Sequence, residues 1–265
     1  MTAPVRVGVV GVGAIAVALV DALLTGPRAG DVSVVVSPRS AVRAAGLAAR
    51  HAAVHVAAGN QEVLDGSDVV VLAVLPGQVA DVCAALRFRA GHVVVNLAAG
   101  WPPSVLAPHV APAVDVCQLI PLPVIALHTG PVVLYPGLPA VADLLEGCGE
   151  LVVLERESDV MVLNCVSAAM SSFFELQKTL VGWATGAGLP ERAALDYVTA
   201  LFQGLSAEAV AERDRGLGTM PVEHETPGGL NEQVRLALTA HGTFAVLSRQ
   251  LDDLLRTRSM AARPD

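Results

Sequence analysis

The residues of this chain best suited by type and spacing to do chemistry begin with Gly11-Val12-Gly13-Ala14-Ile15-Ala16. A Gly-x-Gly-x-x-Ala run between an apolar strand and a helix is an arrangement that can hold a pyrophosphate. Gly11 permits the tight turn, Gly13 lets the backbone approach a phosphate, and Ala16 allows close packing of helix on sheet. The first amides of the helix, around Ala14 and Ile15, then face an anion at the positive end of the helix dipole. A second cluster, Ser37-Pro38-Arg39-Ser40, follows the next apolar run. Sites that take NAD usually carry an acidic residue there for the ribose 2′-hydroxyl. This chain carries none. Arg39, with the hydroxyls of Ser37 and Ser40, offers charge and donors for a 2′-phosphate, so NADP(H) is the expected cofactor.

A third cluster is Thr226-Pro227-Gly228-Gly229. Thr226 is a good helix cap, Pro227 fits a first helical position, and the two glycines leave the next amides unshielded, so a helix from Leu230 onward starts with exposed donors. That reads as an anion site, against the plainer reading of an ordinary helix start. Hydride delivery to a C=N or C=O carbon leaves a basic nitrogen or an alkoxide and calls for a proton source. Lys178, the sole lysine in the sequence, is a candidate, against pairing with Glu175 three residues earlier on a helix surface. His128, and His224 with Glu225, are further titratable candidates or simply satisfied loop residues, and Asn231 can orient a polar group of a substrate.

These clusters need elements to position them. Apolar runs at residues 5–10, 32–36, 69–74 and 92–97 alternate with helical patterns at 14–24, 41–50 and 79–86, which implies a parallel sheet buried on both faces. Runs at 117–120, 132–134 and 151–154 can add strands, giving an α/β Rossmann dinucleotide-binding domain over residues 1–154. Helical patterns then take over at 158–186, 190–215 and 228–256, giving an all-helical domain over 155–265 for dimerisation and substrate, with residues 260–265 a frayed end.

Composition narrows the classes. Hydrophobic residues are 53% and aromatic residues 3%, so Ala, Val and Leu surface is available for a partner subunit, and a homodimer or higher homo-oligomer is expected. A net charge of -8 without a basic cluster excludes a nucleic-acid partner. The first ten residues contain no apolar stretch near the ~18 residues of a membrane span, so a cytoplasmic protein without a membrane partner is expected. Cys83, Cys117, Cys148 and Cys165 are far apart, without the paired spacing of a metal site, and read as buried thiols.

Several of these stretches, in order, resemble the pyrroline-5-carboxylate reductase family. Asn60-Gln61-Glu62-Val63, Asp68-Val69 and Ala73-Val74-Leu75-Pro76 look like that family's N-x-E-V, D-V and A-V-K-P. The resemblance implies that Asn60 touches the cofactor and that Ala73, Leu75 and Pro76 lie along it. Val94-Val95-Asn96-Leu97-Ala98-Ala99-Gly100 is similar to the family's V-V-S-I-A-A-G strand end, placing Asn96 and Ala98 beside the nicotinamide. Gly186-Ala187-Gly188-Leu189-Pro190 matches K-M-G-L-P, and Thr226 to Gly229 matches the S-P-G-G turn that binds the substrate carboxylate.

The departures from the family lie on the substrate side. Ile120-Pro121-Leu122-Pro123-Val124 stands where the family has M-P-N-T-P, Leu230-Asn231 where it has Thr-Thr, and Val166-Ser167-Ala168-Ala169-Met170 in place of S-G-S-G-P. The resemblance thus implies reduction by NADPH of a C=N or C=O bond in a small carboxylate-bearing imine or oxo-acid substrate. Pro121, Leu122 and Leu230 would line a pocket for a molecule larger or more apolar than pyrroline-5-carboxylate. Two alternatives stay open: a β-hydroxyacid dehydrogenase-type carbonyl reductase using Lys178, and a non-catalytic NADP(H)-binding dimer.

Overall fold

The computed structural model describes residues 4–261, and the chain divides into two compact units, residues 1–160 and 161–265. In the first, strands and helices follow as β1 (Val5–Val10), α1 (Ala14–Thr25), β2 (Val32–Val36), α2 (Ala41–Arg50), β3 (Val54–Val56), α3 (Asn60–Asp65), β4 (Val69–Leu72) and α4 (Val79–Ala84). They continue as β5 (Val93–Asn96), α5 (Pro103–Leu106), β6 (Asp115–Pro121), β7 (Pro131–Tyr135), α6 (Pro139–Leu144) and β8 (Glu150–Val153). Together the strands form one sheet in the order β3-β2-β1-β4-β5-β6-β7-β8.

Valine runs make this sheet because β-branched side chains suit the pleated surface and bury on both of its faces. Alternation within each strand divides them. Val7 and Val9 of β1, with Val69 and Val71 of β4, join α1 and the Ala44–Leu47 side of α2 in one core. Val10, Val70 and Leu72 point the other way, into a second core with Val63 and Leu64 of α3 and Cys83 of α4. Three cysteines in these layers, Cys83, Cys117 and Cys148, are buried, and burial pushes the thiols of Cys83 and Cys117 up to about 11 and about 12, so neither is a ready nucleophile.

The structure differs from the sequence reading in identifiable places. β3 and α3 carry no long apolar run, so only their neighbours give them away. The run at 69–74 ends as a strand at Leu72, with the Ala73 amide making the last ladder bond, to the Val10 carbonyl at 2.8 Å. β6 and β7 are antiparallel. Their connection, residues 122–130, holds one short 3-10 turn (Pro123–Leu127) and is too short for the crossover that parallel strands need.

The second unit is helical, entered through α7 (Glu157–Ser167) and followed by α8 (Met170–Gly186), α9 (Glu191–Ala211), α10 (Met220–Glu223), α11 (Leu230–Ala240) and α12 (Thr243–Ala261). The expected helix over 158–186 is broken between Ser167 and Met170. The one expected over 228–256 is broken at Gly242, whose φ of 72° belongs to the left-handed region that glycine tolerates. Of the end expected to fray, residues 262–265 lie outside the described residues. Among the described residues from 161 onward, Cys165, Ala194 and Val198 are the buried hydrophobics, whereas Phe174, Trp183 and Tyr197 are 65%, 74% and 69% exposed.

Candidate functional site

Parallel registration brings four loops to one edge of the sheet. Val9 lies opposite Val36, Val10 opposite Leu72, and Leu72 opposite Asn96, so the loops after β1, β2, β4 and β5 leave side by side. The chain runs outward from β1 to β2 and β3, then returns to β4 on the other side of β1. Such a reversal opens a crevice beyond the carboxyl ends of β1 and β4, where doubly wound sheets take ligands. Gly11 sits at its base with φ 96°, and a Cβ there would lie 2.6 Å from the Ala73 carbonyl oxygen. Gly13 caps α1 with extended backbone, and a Cβ on it would meet nothing within 4 Å. Ala14 is exposed and Ile15 half-buried, while Ala16 is packed in the core. The glycine turn therefore presents a backbone cradle with open space in front of it.

Ser37 does not face that space. Its side chain is fully buried, and its hydroxyl accepts a 2.9 Å hydrogen bond from the Gly11 amide. This corrects the expectation that it reaches a ribose phosphate: Ser37 instead fixes the turn. Arg39 is exposed and Ser40 half-buried at the start of α2, where Arg43 is also exposed. Neither guanidinium has a hydrogen-bond or salt-bridge partner among the described residues. Arg43 lies in the first turn of α2, four residues after Arg39, a position that the motif at 37–40 does not reach.

Asn60, Ala73, Leu75 and Pro76 are all accessible, Leu75 to 70%. Asn96 and Ala98 are not. Asn96 is fully buried, its amide nitrogen donating to the carbonyls of Ala98 (3.0 Å) and Trp101 (2.6 Å) while its oxygen accepts from the Ala98 amide (3.0 Å). The polar groups expected beside a nicotinamide are thus used to shape the loop after β5. Trp101, which that loop carries, donates its indole N–H to the Pro76 carbonyl at 2.9 Å.

In the second unit the Thr226 to Gly229 turn forms, with φ 73° at Gly228. Its glycine amides are occupied. Gly228 donates to the Glu232 carboxylate at 2.5 Å and Gly229 to the Thr226 carbonyl at 2.7 Å. The open donors belong instead to the first turn of α11, from Leu230 to Glu232, with Leu230 itself 82% exposed. Glu232 sits three residues after the capping Gly229, a capping-box spacing. Asn231 donates to the His224 carbonyl at 2.7 Å, so its amide nitrogen braces the turn. His224 lies against the Met220 carbonyl (2.8 Å) and Glu208 (3.0 Å), which raise its pKa, and Arg235 holds the Glu225 carboxyl below the usual range.

Lys178 lies 2.9 Å from both carboxylate oxygens of Glu175, with its side chain 74% exposed. In the single chain it is a surface ion pair with its amine in solvent. His128, too, is structural: its ring joins the Thr25 hydroxyl (2.8 Å) to the Gly147 carbonyl (3.1 Å).

Known proteins share this fold. Residues 6–100 match the family described as NADP oxidoreductase, coenzyme F420-dependent. Comparison with curated proteins gives no match. Among solved structures, pyrroline-5-carboxylate reductase from Coxiella burnetii superposes with a TM-score of 0.82 at 18% identity, covering 99% of this chain and 100% of that one. The pyrroline carboxylate reductase of Plasmodium falciparum with NADP bound gives 0.81 at 15% identity, covering 98% of each. The chain has the pyrroline-5-carboxylate reductase fold. A reductive aminase from Aspergillus terreus, in complex with NADPH4, cyclohexanone and allyl amine, is more distant, at TM-score 0.61 and 18% identity over 97% of this chain and 91% of that one.

On the pyrroline-5-carboxylate reductase fold, the segment after β6 leaves from the same sheet edge as the four loops, because β6 runs parallel to β5. Pro121 is buried as the last residue of β6, opposite Val132, so it supports this edge without facing a ligand. Leu122 is half-buried and Pro123 and Val124 are exposed, leaving an apolar surface here.

Proposed function

We propose that the protein is an NADP(H)-dependent reductase of C=N bonds whose substrate is larger and more apolar than pyrroline-5-carboxylate. The observation that carries this reading is the Gly11 to Ile15 cradle, open in front of Gly13 and flanked at the end of β2 by the unpartnered Arg39. The bound NADP and NADPH4 of the similarly folded proteins support the cofactor. Residues Gly11, Gly13, Ala14 and Ile15 would hold its pyrophosphate, Arg39 and Ser40 its 2′-phosphate, and Asn60, Ala73, Leu75 and Pro76 its length along the crevice. The cofactor supplies the hydride. Leu122 to Val124, after β6, supply apolar surface, and each methylene buried there returns ~0.8 kcal/mol, against about 0.5 to 1.5 kcal/mol for a neutral hydrogen bond given up.

The Gly228 amide is not free to hold a substrate carboxylate. Glu232 already sets a carboxylate against the Gly228 amide, and a second carboxylate there would be repelled. A Gly229→Val substitution is not a clean probe of this point, since its Cβ would lie 2.3 Å from the Thr226 hydroxyl and disturb the turn itself. The deciding assay is NADPH oxidation with paired cyclic imines, small and bulky, with and without a carboxylate. The bulky, uncharged imine should give the highest kcat/KM. Equal or better turnover of pyrroline-5-carboxylate would overturn the substrate reading, and no turnover of any imine or oxo compound would favour a non-catalytic dinucleotide-binding protein. Lys178, exposed and paired, lends no support to a carbonyl reductase built around it.

The protein would act in the cytoplasm as a homodimer joined through the second unit. Among its described residues that unit buries few of its own hydrophobics and leaves Phe174, Trp183 and Tyr197 largely exposed, side chains that a second copy can cover. The helical stretch Glu157–Gly186 is also long and apolar enough to cross a membrane. A bilayer would, however, have to bury the Glu175–Lys178 pair, whereas a second copy can leave it at a wet rim. Sedimentation at micromolar concentration without detergent should give a dimer or larger closed assembly. A monomer, or material soluble only in detergent, would overturn this assignment.

A further inference from the structure

We infer that Trp101 is a positioning residue for the cofactor crevice, acting through the turn at Pro76. The inference rests on the dinucleotide-binding reading above. Three observations lead to it. The indole N–H donates at 2.9 Å to the Pro76 carbonyl, and Pro76 opens the short 3-10 turn Pro76–Gln78, joined through Ala73 to Leu75 to the β4 end that borders the crevice. Trp101 is itself anchored, since buried Asn96 at the end of β5 donates at 2.6 Å to the Trp101 carbonyl and closes the intervening loop on Ala98. The ring is half-buried on the second core and meets His109 edge-on, with centroids 5.1 Å apart, so its orientation is set by packing from more than one side.

The consequence concerns a segment with little support of its own. Leu75, Pro76 and Gly77 are all exposed, and nothing lies within 4 Å of a Cβ placed on Gly77. Among the described residues, the indole supplies the one side-chain hydrogen bond that reaches this stretch from outside it. Without it the turn is free to move away from the ends of β1 and β4, and a dinucleotide lying along Ala73 to Pro76 must order it on binding, which weakens affinity. Trp101 therefore presets the crevice without touching the reacting atoms.

The chain has two tryptophans, Trp101 and Trp183, which makes the inference measurable without turnover. Trp101→Phe keeps an aromatic ring for packing and removes the donor. It should bind NADPH roughly two- to tenfold more weakly by calorimetry, the effect of one hydrogen bond, with a matching rise in the KM for NADPH and kcat little changed. In Trp183→Phe, where Trp101 is the remaining fluorophore, oxidised NADP should alter the indole emission; in Trp101→Phe it should not. The oxidised form does not absorb at the emission wavelength, so the signal requires a local change at the ring. Loss of thermal stability in Trp101→Phe with unchanged NADPH affinity, or a Trp101 emission indifferent to saturating NADP, would overturn the inference while leaving the proposed function intact. Failure of the wild type to bind either dinucleotide would instead remove the functional reading on which it rests.

Discussion

A Gly13→Val protein should fold normally and bind NADPH at least about a hundredfold more weakly than the wild type. Gly13 has φ -83° and ψ -178°, ordinary extended backbone that any residue adopts, and its missing Cβ faces open space. Valine is a poor helix cap, so a cost of up to about 1 kcal/mol is expected, or roughly 2 to 4 °C in the thermal midpoint for a chain of this size. Binding should suffer far more. The added side chain fills the approach to the Ala14 and Ile15 amides, and losing two charge-assisted hydrogen bonds at ~1.5 to 3 kcal/mol each removes two orders of magnitude or more in affinity. Gly11→Ala makes the contrast. There the φ of 96° and the 2.6 Å approach to the Ala73 carbonyl oxygen put the damage in the fold itself. Thermal unfolding and calorimetric titration of both variants separate the two cases. Near-normal NADPH affinity in a folded Gly13→Val protein would show that the dinucleotide does not lie in this crevice.

That contrast also marks what could be read from the sequence. The turn at Gly11 and Gly13 was legible because strand, glycines and helix are contiguous, so local chemistry dictates the geometry. The parallel sheet was legible because a strand buried on both faces must be apolar at every position, as Val69 to Leu72 are. Side-chain direction was less legible. Ser37 and Asn96 carry polar groups at the ends of β2 and β5, where a ligand would be met, yet both turn inward to satisfy backbone groups. A sequence records the hydrogen-bonding capacity of a residue, not the competitor for it that the fold brings near. Glu232 teaches the same lesson in reverse: the glycine amides read as open donors are closed by a carboxylate from the helix they begin. From sequence Lys178 admits two outcomes, and the surface pair with Glu175 is the one found in the chain. Arg43 and Trp101 carried signals too weak to notice singly, since each matters through a partner distant in sequence or through a surface left unpaired.

Cofactor choice should follow the two arginines at the start of α2. Arg39 and Arg43 are both exposed and have no partner among the described residues, so neither must break an ion pair to meet a phosphate. Exposure also limits each contribution through solvent screening, and the single Arg39→Ala change should weaken NADPH binding about tenfold, the low end for a charge-assisted contact. If Arg43 reaches the same phosphate from the first turn of α2, Arg39→Ala/Arg43→Ala should lose about a hundredfold. NADH, which lacks the 2′-phosphate, should change by less than about twofold in both variants, because an exposed cation contributes little without its counter-charge. Raising salt should narrow the gap between NADPH and NADH in the wild type and leave the double variant nearly indifferent. Arg39→Asp goes further, replacing the cation with an acceptor for the ribose 2′-hydroxyl, and should reverse the preference toward NADH. Calorimetric titration of each protein with both dinucleotides at two ionic strengths reads all of these changes. Equal wild-type affinities for NADPH and NADH, or a loss in Arg39→Ala that falls equally on the two, would remove the 2′-phosphate from the end of β2 and with it the assignment of NADP(H) to this protein.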